Sequence, residues 1–405
     1  MKINTKQIAV MQVLPHLNSG GLVSGAVEVA KELVNSNFKS LIVSSGGYKE
    51  NEILRNESIL EKLPVHSKNI FTILNNKKKL IDLAIKHNIH LIHARSRAPA
   101  WSAYFAAKEL NLPFVTTFHG TYGTENFFKK KYNSIMLKGH AIIAISKFIK
   151  QHIQGEYGIT QNIHVIPRGV NTNIFSPKKV SSARLINAAK KISIEGNDQI
   201  ILLPGRLTSW KGHKLAVKAI SRLKVKNFKL IFIGDLQGRV KYKNELINLA
   251  TTLNVANKVI FINHTRDLPS YLMLADLVLS CSTKPEALGR TVLEAQAMGK
   301  PVIAFNHGGS VELINDNENG TLCKVGDIND LAINIEKVLQ WSIYKRKVLS
   351  KKSISNVNEK YLIDENNEIV IQINGKKRNT ITASKDIGET GLIKIIKDNN
   401  MIDKY

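Results

Sequence analysis

A doubly wound α/β chain in two Rossmann-like halves is the fold class that this sequence predicts, and three observations predict it. Short apolar runs alternate with amphipathic stretches along most of the chain. The runs fall into two series, and prolines and a glycine interrupt the pattern between them. The chain also has 405 residues, 43% of them hydrophobic, which is too long for one ordinary core. Two domains of similar size follow.

The first series runs QIAVMQVL, SLIVSS, LIHAR, PFVTTF and AIIAIS. The second runs QIILLPG, KLIFIG, KVIFIN, LVLSCS and PVIAFN. Continuous apolar runs of this kind belong to parallel strands covered on both faces. Between them GAVEVAKELVNS, AWSAYFAAKEL, KLAVKAISRL and LGRTVLEAQAMG repeat their apolar residues at helical spacing. The crossing lies in HVIPRGVNTNIFSP, His164 to Pro177. It divides the chain into domains 1–167 and 168–342, with a cleft between them and ligand at the carboxyl ends of the strands. Past Ser342 the pattern changes: YKRKVLSKK is a basic helix-like stretch, and EIVIQINGKKRNTITAS reads as a hairpin around Asn374-Gly375. Residues 343–405 are expected to be an atypical basic tail.

Composition narrows the function classes. Cys281 and Cys323 are the only cysteines, so no disulfide framework exists and a reducing compartment is expected. The run IAVMQVL contains Gln12 and reads as a first strand rather than a signal peptide. No stretch of some 18 apolar residues is present to span a membrane, so a cytoplasmic protein is expected. There is no CxxC and no HExxH, and no metal site is expected. The net charge of +26 fits an anionic partner or a lysine-rich solvated surface, and by itself chooses neither.

The stretch KPEALGRTVLEAQAMG, residues 284–299, carries the first chemical clue. On one helix Glu286 and Glu294 would stand about 12 Å apart and be turned about 80° from each other, too far for an acid/base pair. With Glu286 in the loop before Gly289 and Glu294 in the following helix, they face opposite ends of one long ligand. Between them Gly289, Arg290 and Thr291 open a helix whose free N–H groups favour a diphosphate. A carboxylate also accepts two hydrogen bonds from a vicinal diol.

These residues stand in a longer set: GG at 20–21, TFHG at 117–120, VIPRGVNTNIF at 165–175, GRLTSWKG at 205–212, FIGD at 232–235, EALGRTVLEAQAMGKPVIAFNHGG at 286–309 and ENGTL at 318–322. In order and spacing the set resembles the retaining glycosyltransferases of family 4, with the GT-B fold, over roughly residues 8 to 340. The resemblance implies that Glu286 approaches the donor sugar's hydroxyls and Glu294 the ribose of the nucleotide. It implies that Arg206 and Lys211 hold the diphosphate as it leaves, a role for fixed cations where no D-x-D motif offers a metal. It places His119 beside the reacting sugar carbon as a hydrogen-bond donor rather than a general base. Gly20 and Gly21 would let backbone approach a phosphate or acceptor, and Gly308 and Gly309 would line the sugar pocket, with Glu312 orienting that loop.

The chain departs from the family pattern at three places. Val23-Ser24 stands where a glutamate-arginine pair is usual. Arg168 and Asn171 replace Asn and Asp at the domain junction, where hinge geometry is expected to change. The usual closing helix that crosses back to the first domain is not recognisable in the tail. Separately, ENFFKKKYNSIMLKG, 125–139, places Phe127, Phe128 and Tyr132 beside Lys129, Lys130 and Lys131. It fits an anionic membrane interface or a partly buried helix equally.

The expected protein is thus a metal-independent transferase without a cofactor. It would move a hexosyl group from a UDP- or GDP-sugar to a cell-envelope glycolipid or polysaccharide precursor of the lipopolysaccharide type. It would be cytoplasmic and peripheral on the inner face of the membrane. A nucleotide-sugar epimerase shares paired Rossmann halves, and the intact E-x7-E argues against it. A nucleic-acid-binding protein would explain the charge but lacks reading helices and stacking strips, so no nucleic acid is expected. A non-catalytic nucleotide-sugar binder is the third alternative.

Overall fold

The computed structural model describes residues 7–18, 20–194, 196–361, 366–373 and 376–384. Seven strands form the first sheet: β1 (Ala9–Val13), β2 (Lys39–Ser44), β3 (Ile59–Lys62), β4 (Leu91–Ala94), β5 (Phe114–Phe118), β6 (Ala141–Ala144) and β7 (Ile163–Val165). Six form the second: β8 (Gln199–Pro204), β9 (Phe228–Ile233), β10 (Val259–Ile262), β11 (Leu277–Ser280), β12 (Val302–Phe305) and β13 (Thr321–Cys323). The orders are β3-β2-β1-β4-β5-β6-β7 and β10-β9-β8-β11-β12-β13. Every pairing within them is parallel. These are the two doubly wound halves of a GT-B fold.

Burial explains the strands. Phe114 and Phe118 of β5, Phe228 and Phe232 of β9 and Phe305 of β12 are almost fully buried, and so are the aliphatic residues beside them. Because helices cover both faces, successive residues on a strand are apolar in either direction. The short strands β3, β7 and β13 escape the sequence reading. All three lie on sheet edges, and of the seven residues in β3 and β7 only Ile163 is buried, so ILEK and IHV carry little apolar signal.

The helix Ile343–Tyr361 continues from the second half and lies on it. Arg346 donates to the Asp276 carbonyl at 3.0 Å, and Ser353 Oγ donates to Asn319 O at 3.3 Å. Beyond it, β14 (Asn366–Ile373) and β15 (Lys376–Ser384) pair antiparallel, as the alternation suggested. The Asn374-Gly375 turn itself and residues 385–405 lie outside the described residues.

Candidate active site in the interdomain cleft

In each sheet the strand order reverses once, between β1 and β4 and between β8 and β11. Loops leaving a reversal diverge and open a crevice at the carboxyl ends of the strands. The residues singled out in the sequence gather around these two crevices.

In the second half, Arg206 follows β8 and is exposed. A 3-10 turn, Ser209–Lys211, then brings Lys211 to the loop after β11. Its ammonium donates to Glu286 Oε1, and Ser282 Oγ donates to the same oxygen. The Lys211 and Glu286 side chains are only 16% and 18% exposed, so the pair is held out of bulk water. Thr283 N donates to Trp210 O at 2.7 Å and fixes the two loops together. The His307-Gly308-Gly309 loop after β12 supports Glu286 from behind. Gly309 N donates to Glu286 O at 2.7 Å, and His307 Nε2 lies 2.7 Å from Ser282 O. Gly308 has φ +63, and a Cβ there would stand 2.6 Å from Glu286 O, so a side chain would push the loop off.

The helix Arg290–Ala297 starts after Gly289, with Thr291 in its first turn. Glu286 stands in the loop ahead of it and Glu294 in its last turn, the split that the spacing required. Arg290 reaches Glu294 Oε1 through Nη2 at 3.0 Å and through Nε at 3.2 Å. Burial pushes the Glu294 pKa up, against the pull of Arg290. The Arg290 Nη2 also lies 4.0 Å from Glu28 of the first half.

In the first half, Gly20 and Gly21 follow β1 and begin the helix Gly21–Asn35, and His119 follows β5. Arg168 joins them: Nη1 donates to Gly21 O, and Nη2 donates to His119 Nδ1 at 2.9 Å. A guanidinium only donates, so Nδ1 is unprotonated and the ring proton sits on Nε2. Burial, helped by Arg168, Arg95 and His93, drives the His119 pKa well below the usual histidine range. His119 is thus neutral, with its one ring N–H at Nε2. Behind it lies a buried polar group inside the sheet. Arg95 Nε donates to Gln12 Oε1 at 2.9 Å, and His93 Nε2 lies 2.7 Å from Thr117 Oγ1.

The halves touch at several points. Ser146 Oγ donates to Ala287 O at 2.6 Å. Glu312 accepts the backbone N–H groups of Lys147 at 2.9 Å and Phe148 at 2.6 Å, the first turn of the helix Lys147–Tyr157. Glu312 therefore reaches across the cleft, where the sequence reading had it orienting its own loop.

The structure thus brings Lys211 to Glu286, Arg290 to Glu294, Gly308 and Gly309 to the Glu286 loop, and His119 to Gly21 through Arg168. Arg206 makes no side-chain hydrogen bond among the described residues, and Glu286 and Glu294 do not touch. Arg168 is the residue that sequence reasoning undervalued, as a hinge position. The available signal was Gly25, a glycine inside a good helix. A Cβ there would stand 2.7 Å from the Arg168 Cζ.

Fold and site together define a protein that takes its ligand in the crevice between two doubly wound halves. Residues 186–355 match the family model of glycosyl transferases group 1, and residues 19–174 that of Glycosyltransferase Family 4. A glycosyltransferase from Rickettsia africae ESF-5, known as a crystal structure, is 38% identical with a TM-score of 0.82, over 88% of this chain and 94% of that one. The HepE protein of Anabaena, solved with UDP and glucose, is 22% identical with a TM-score of 0.78, over 88% and 96% of the two chains. The putative glycosyltransferase EpsD of Bacillus subtilis (strain 168) is 34% identical over 188 residues, 46% of this chain and 47% of that protein, so the match spans about half its length. The chain belongs to glycosyltransferase family 4.

Proposed function

We propose that this protein is a retaining, metal-independent hexosyltransferase that uses a nucleotide-diphosphate sugar as donor. The observation that carries the reading is the Lys211–Glu286–Ser282 cluster beside the start of the helix Arg290–Ala297. In this reading Glu286 accepts hydrogen bonds from hydroxyls of the donor sugar, and Glu294 from those of the ribose. Arg206 and Lys211 hold the diphosphate between them, Lys211 exchanging its Glu286 contact for phosphate oxygen. The acceptor hydroxyl attacks the anomeric carbon from the side on which the phosphate departs. The bond from that carbon to the diphosphate oxygen breaks, and the departing phosphate takes the acceptor's proton. Fixed cations meet the charge that grows on the leaving group, and His119 Nε2–H donates to the sugar. The bound UDP and glucose of HepE support a donor of this class. We also divide the two halves at 167/168, which the sheets ending at Val165 and resuming at Gln199 support, whereas the helix Ile343–Tyr361 past 342 packs on the second half.

For the acceptor we favour a glycolipid or polysaccharide precursor of the cell envelope, of the lipopolysaccharide type, met at an anionic membrane surface. Among the described residues no helix is long and apolar enough to cross a membrane. Support for a surface role comes from the helix Phe127–Asn133. Phe127 and Phe128 are 72% and 81% exposed, and Lys129, Lys130 and Lys131 follow them. A cavity of about 390 Å³ lined by Lys68, Arg97, Phe128, Lys129 and Tyr132 opens beside it.

Calorimetry with UDP and GDP in EDTA tests the donor site. Glu294→Gln should weaken the free nucleotide by about 1.5–3 kcal/mol, the range for hydrogen bonds to charged groups. Glu286→Gln should leave nucleotide affinity nearly unchanged and depress transfer. Equal loss of nucleotide affinity in the two variants would sink the two-ended reading.

A further inference from the structure

In the first half, on the side of the Gly21 loop that also meets Arg290, charge accumulates without an equal counter-charge. Arg95 follows β4 and is 4% exposed, and its guanidinium bonds to a neutral partner, Gln12. Arg168 bonds to a backbone carbonyl and to neutral His119. Among the described residues neither arginine has a carboxylate in ion-pair contact. The one carboxylate whose charge acts on both, Glu28, lies 4.0 Å from Arg290 instead, and Arg290 is itself bonded to Glu294 at 3.0 Å. Arg95 and Arg168 thus depend on one carboxylate that neither touches, in a place where an uncompensated buried cation is costly.

The arrangement is built rather than incidental. Gly25 makes room for Arg168, since a Cβ there would lie 2.7 Å from both Cζ and Nη2. Gly21 is packed the same way, its notional Cβ 3.4 Å from Arg168 Nη1 and 3.3 Å from Arg290 Cδ. Burial, and for each arginine another arginine nearby, push the Arg95 pKa down to about 9 and that of Arg168 to about 10. Both remain cationic at neutral pH, so the cluster keeps its charge.

We propose that Arg168, backed by Arg95, forms an anion subsite on the acceptor side of the cleft. The acceptor would then carry a phosphate or a carboxylate close to the hydroxyl that is glycosylated. The assignment to the acceptor rests on the transferase reading. There the donor's phosphates lie against Arg206 and Lys211 in the other half, and His119 marks the boundary between the two substrates. Each terminal nitrogen of Arg168 spends one N–H on Gly21 O or His119 and keeps one to offer an oxyanion.

The test uses the full chain saturated with whichever of UDP or GDP binds, so that the diphosphate contacts are filled. Inorganic phosphate and glucuronate are titrated as probes, with glucose as the neutral control. At least one anion should bind where glucose does not, and which of the two binds more tightly tells phosphate from carboxylate. Arg168→Gln should raise that anion's Kd at least tenfold and leave the nucleotide Kd within twofold. Arg168→Lys keeps the charge but not the guanidinium's geometry and should recover part of the anion affinity, which separates loss of the subsite from loss of fold. Binding of neither anion, or equal anion binding by wild type and Arg168→Gln, would overturn the proposal. An equal rise of the nucleotide Kd would also overturn it, since Arg168 would then serve the donor. If the wild type binds no nucleotide, the transferase reading fails instead. The anion titration is then read in an Arg206→Gln, Lys211→Gln background, where the same tenfold loss on Arg168→Gln still decides the subsite.

Discussion

The two halves of this molecule share a topology and treat their polar residues in opposite ways. In the second half the strands flanking the site are largely apolar: β8 reads IILLP after Gln199, and β12 reads VIAF. Its charged site residues stand on the loops beyond, with Lys211 after β8 and Glu286 after β11. In the first half polar side chains lie within the strands. Gln12 in β1, His93 in β4 and Thr117 in β5 are all nearly inaccessible, and Arg95 and His119 sit one residue past their strands. One half keeps its candidate site residues on loops beyond the strands, and the other keeps polar groups within the sheet itself.

That difference decides what the sequence reveals. A loop that must hold Lys211 against Glu286 needs turn residues at fixed offsets, so SWKG and HGG surround it and the chemistry is visible as a pattern. A histidine inside LIHAR or a glutamine inside IAVMQVL occupies one position in an apolar run, and its partner comes from a different strand. Gln12 and Arg95 are 83 residues apart in the chain and share a hydrogen bond of 2.9 Å. No local spacing encodes that. The same reason hid Arg168, which meets Gly21 from 147 residues away. The longer strands were legible because burial on both faces makes them uniformly apolar, and β7 and β13 were not because three residues hold too little pattern.

The largest test of the contrast is on the loop side. Lys211→Ala and Arg206→Ala should each lower kcat by about 100- to 1,000-fold, typical for removing one donor to a developing negative charge. Donor affinity should fall less, because the charge on the leaving phosphate grows toward the transition state. Lys211 should cost more of the two, since it also releases Glu286 from its buried partner. Near-normal turnover in both would remove the diphosphate assignment from this half.

Acid should act more strongly on the sheet side. A histidine whose folded pKa lies below its unfolded value binds its proton first in the unfolded chain. Its contribution is therefore complete above the unfolded pKa of about 6.5 and is lost as pH falls toward the folded value. In the second half His213 is held down to about 4, mainly by burial, with its ring 4.9 Å from that of Phe232. In the first half both His93 and His119 are driven well below the normal range. Each group should remove about 1.4 kcal/mol of stability per pH unit below about 6 until it titrates. Hydrogen exchange at pH 7, 6 and 5 should show protection falling faster in β4 and β5 than in β8 and β9. Equal slopes would mean that the two halves do not differ in this respect.

A smaller effect per residue is expected at the exposed helix of the first half. Replacing Lys129, Lys130 and Lys131 with Gln should weaken binding to phosphatidylserine-containing vesicles by roughly 1 kcal/mol per charge. Transfer to a water-soluble acceptor should be untouched. Unchanged vesicle binding would make the segment an ordinary solvated surface.

The smallest expected effect probes the border between the halves. Glu312 belongs to the loop of Gly308 and Gly309, which supports Glu286, yet its carboxylate accepts the N–H groups of Lys147 and Phe148 in the first half. It caps a helix to which it is not connected, and an anion at a helix N-terminus is favoured by the unpaired donors there. Ser146 makes a parallel link, capping the same helix through Ile149 N at 3.0 Å while donating to Ala287 O. Loss of a cap typically costs about 1 kcal/mol, so Glu312→Ala should lower unfolding stability by about that amount. If the two links close one interface, Glu312→Ala and Ser146→Ala should not add, because the first already frees the helix that the second would release. A coupling energy of about 0.5 kcal/mol or more is expected for residues sharing partners in this way. Urea unfolding of the two single variants and the double variant measures it. Strict additivity would mean that each link acts within its own half, and that the two halves meet without being coupled.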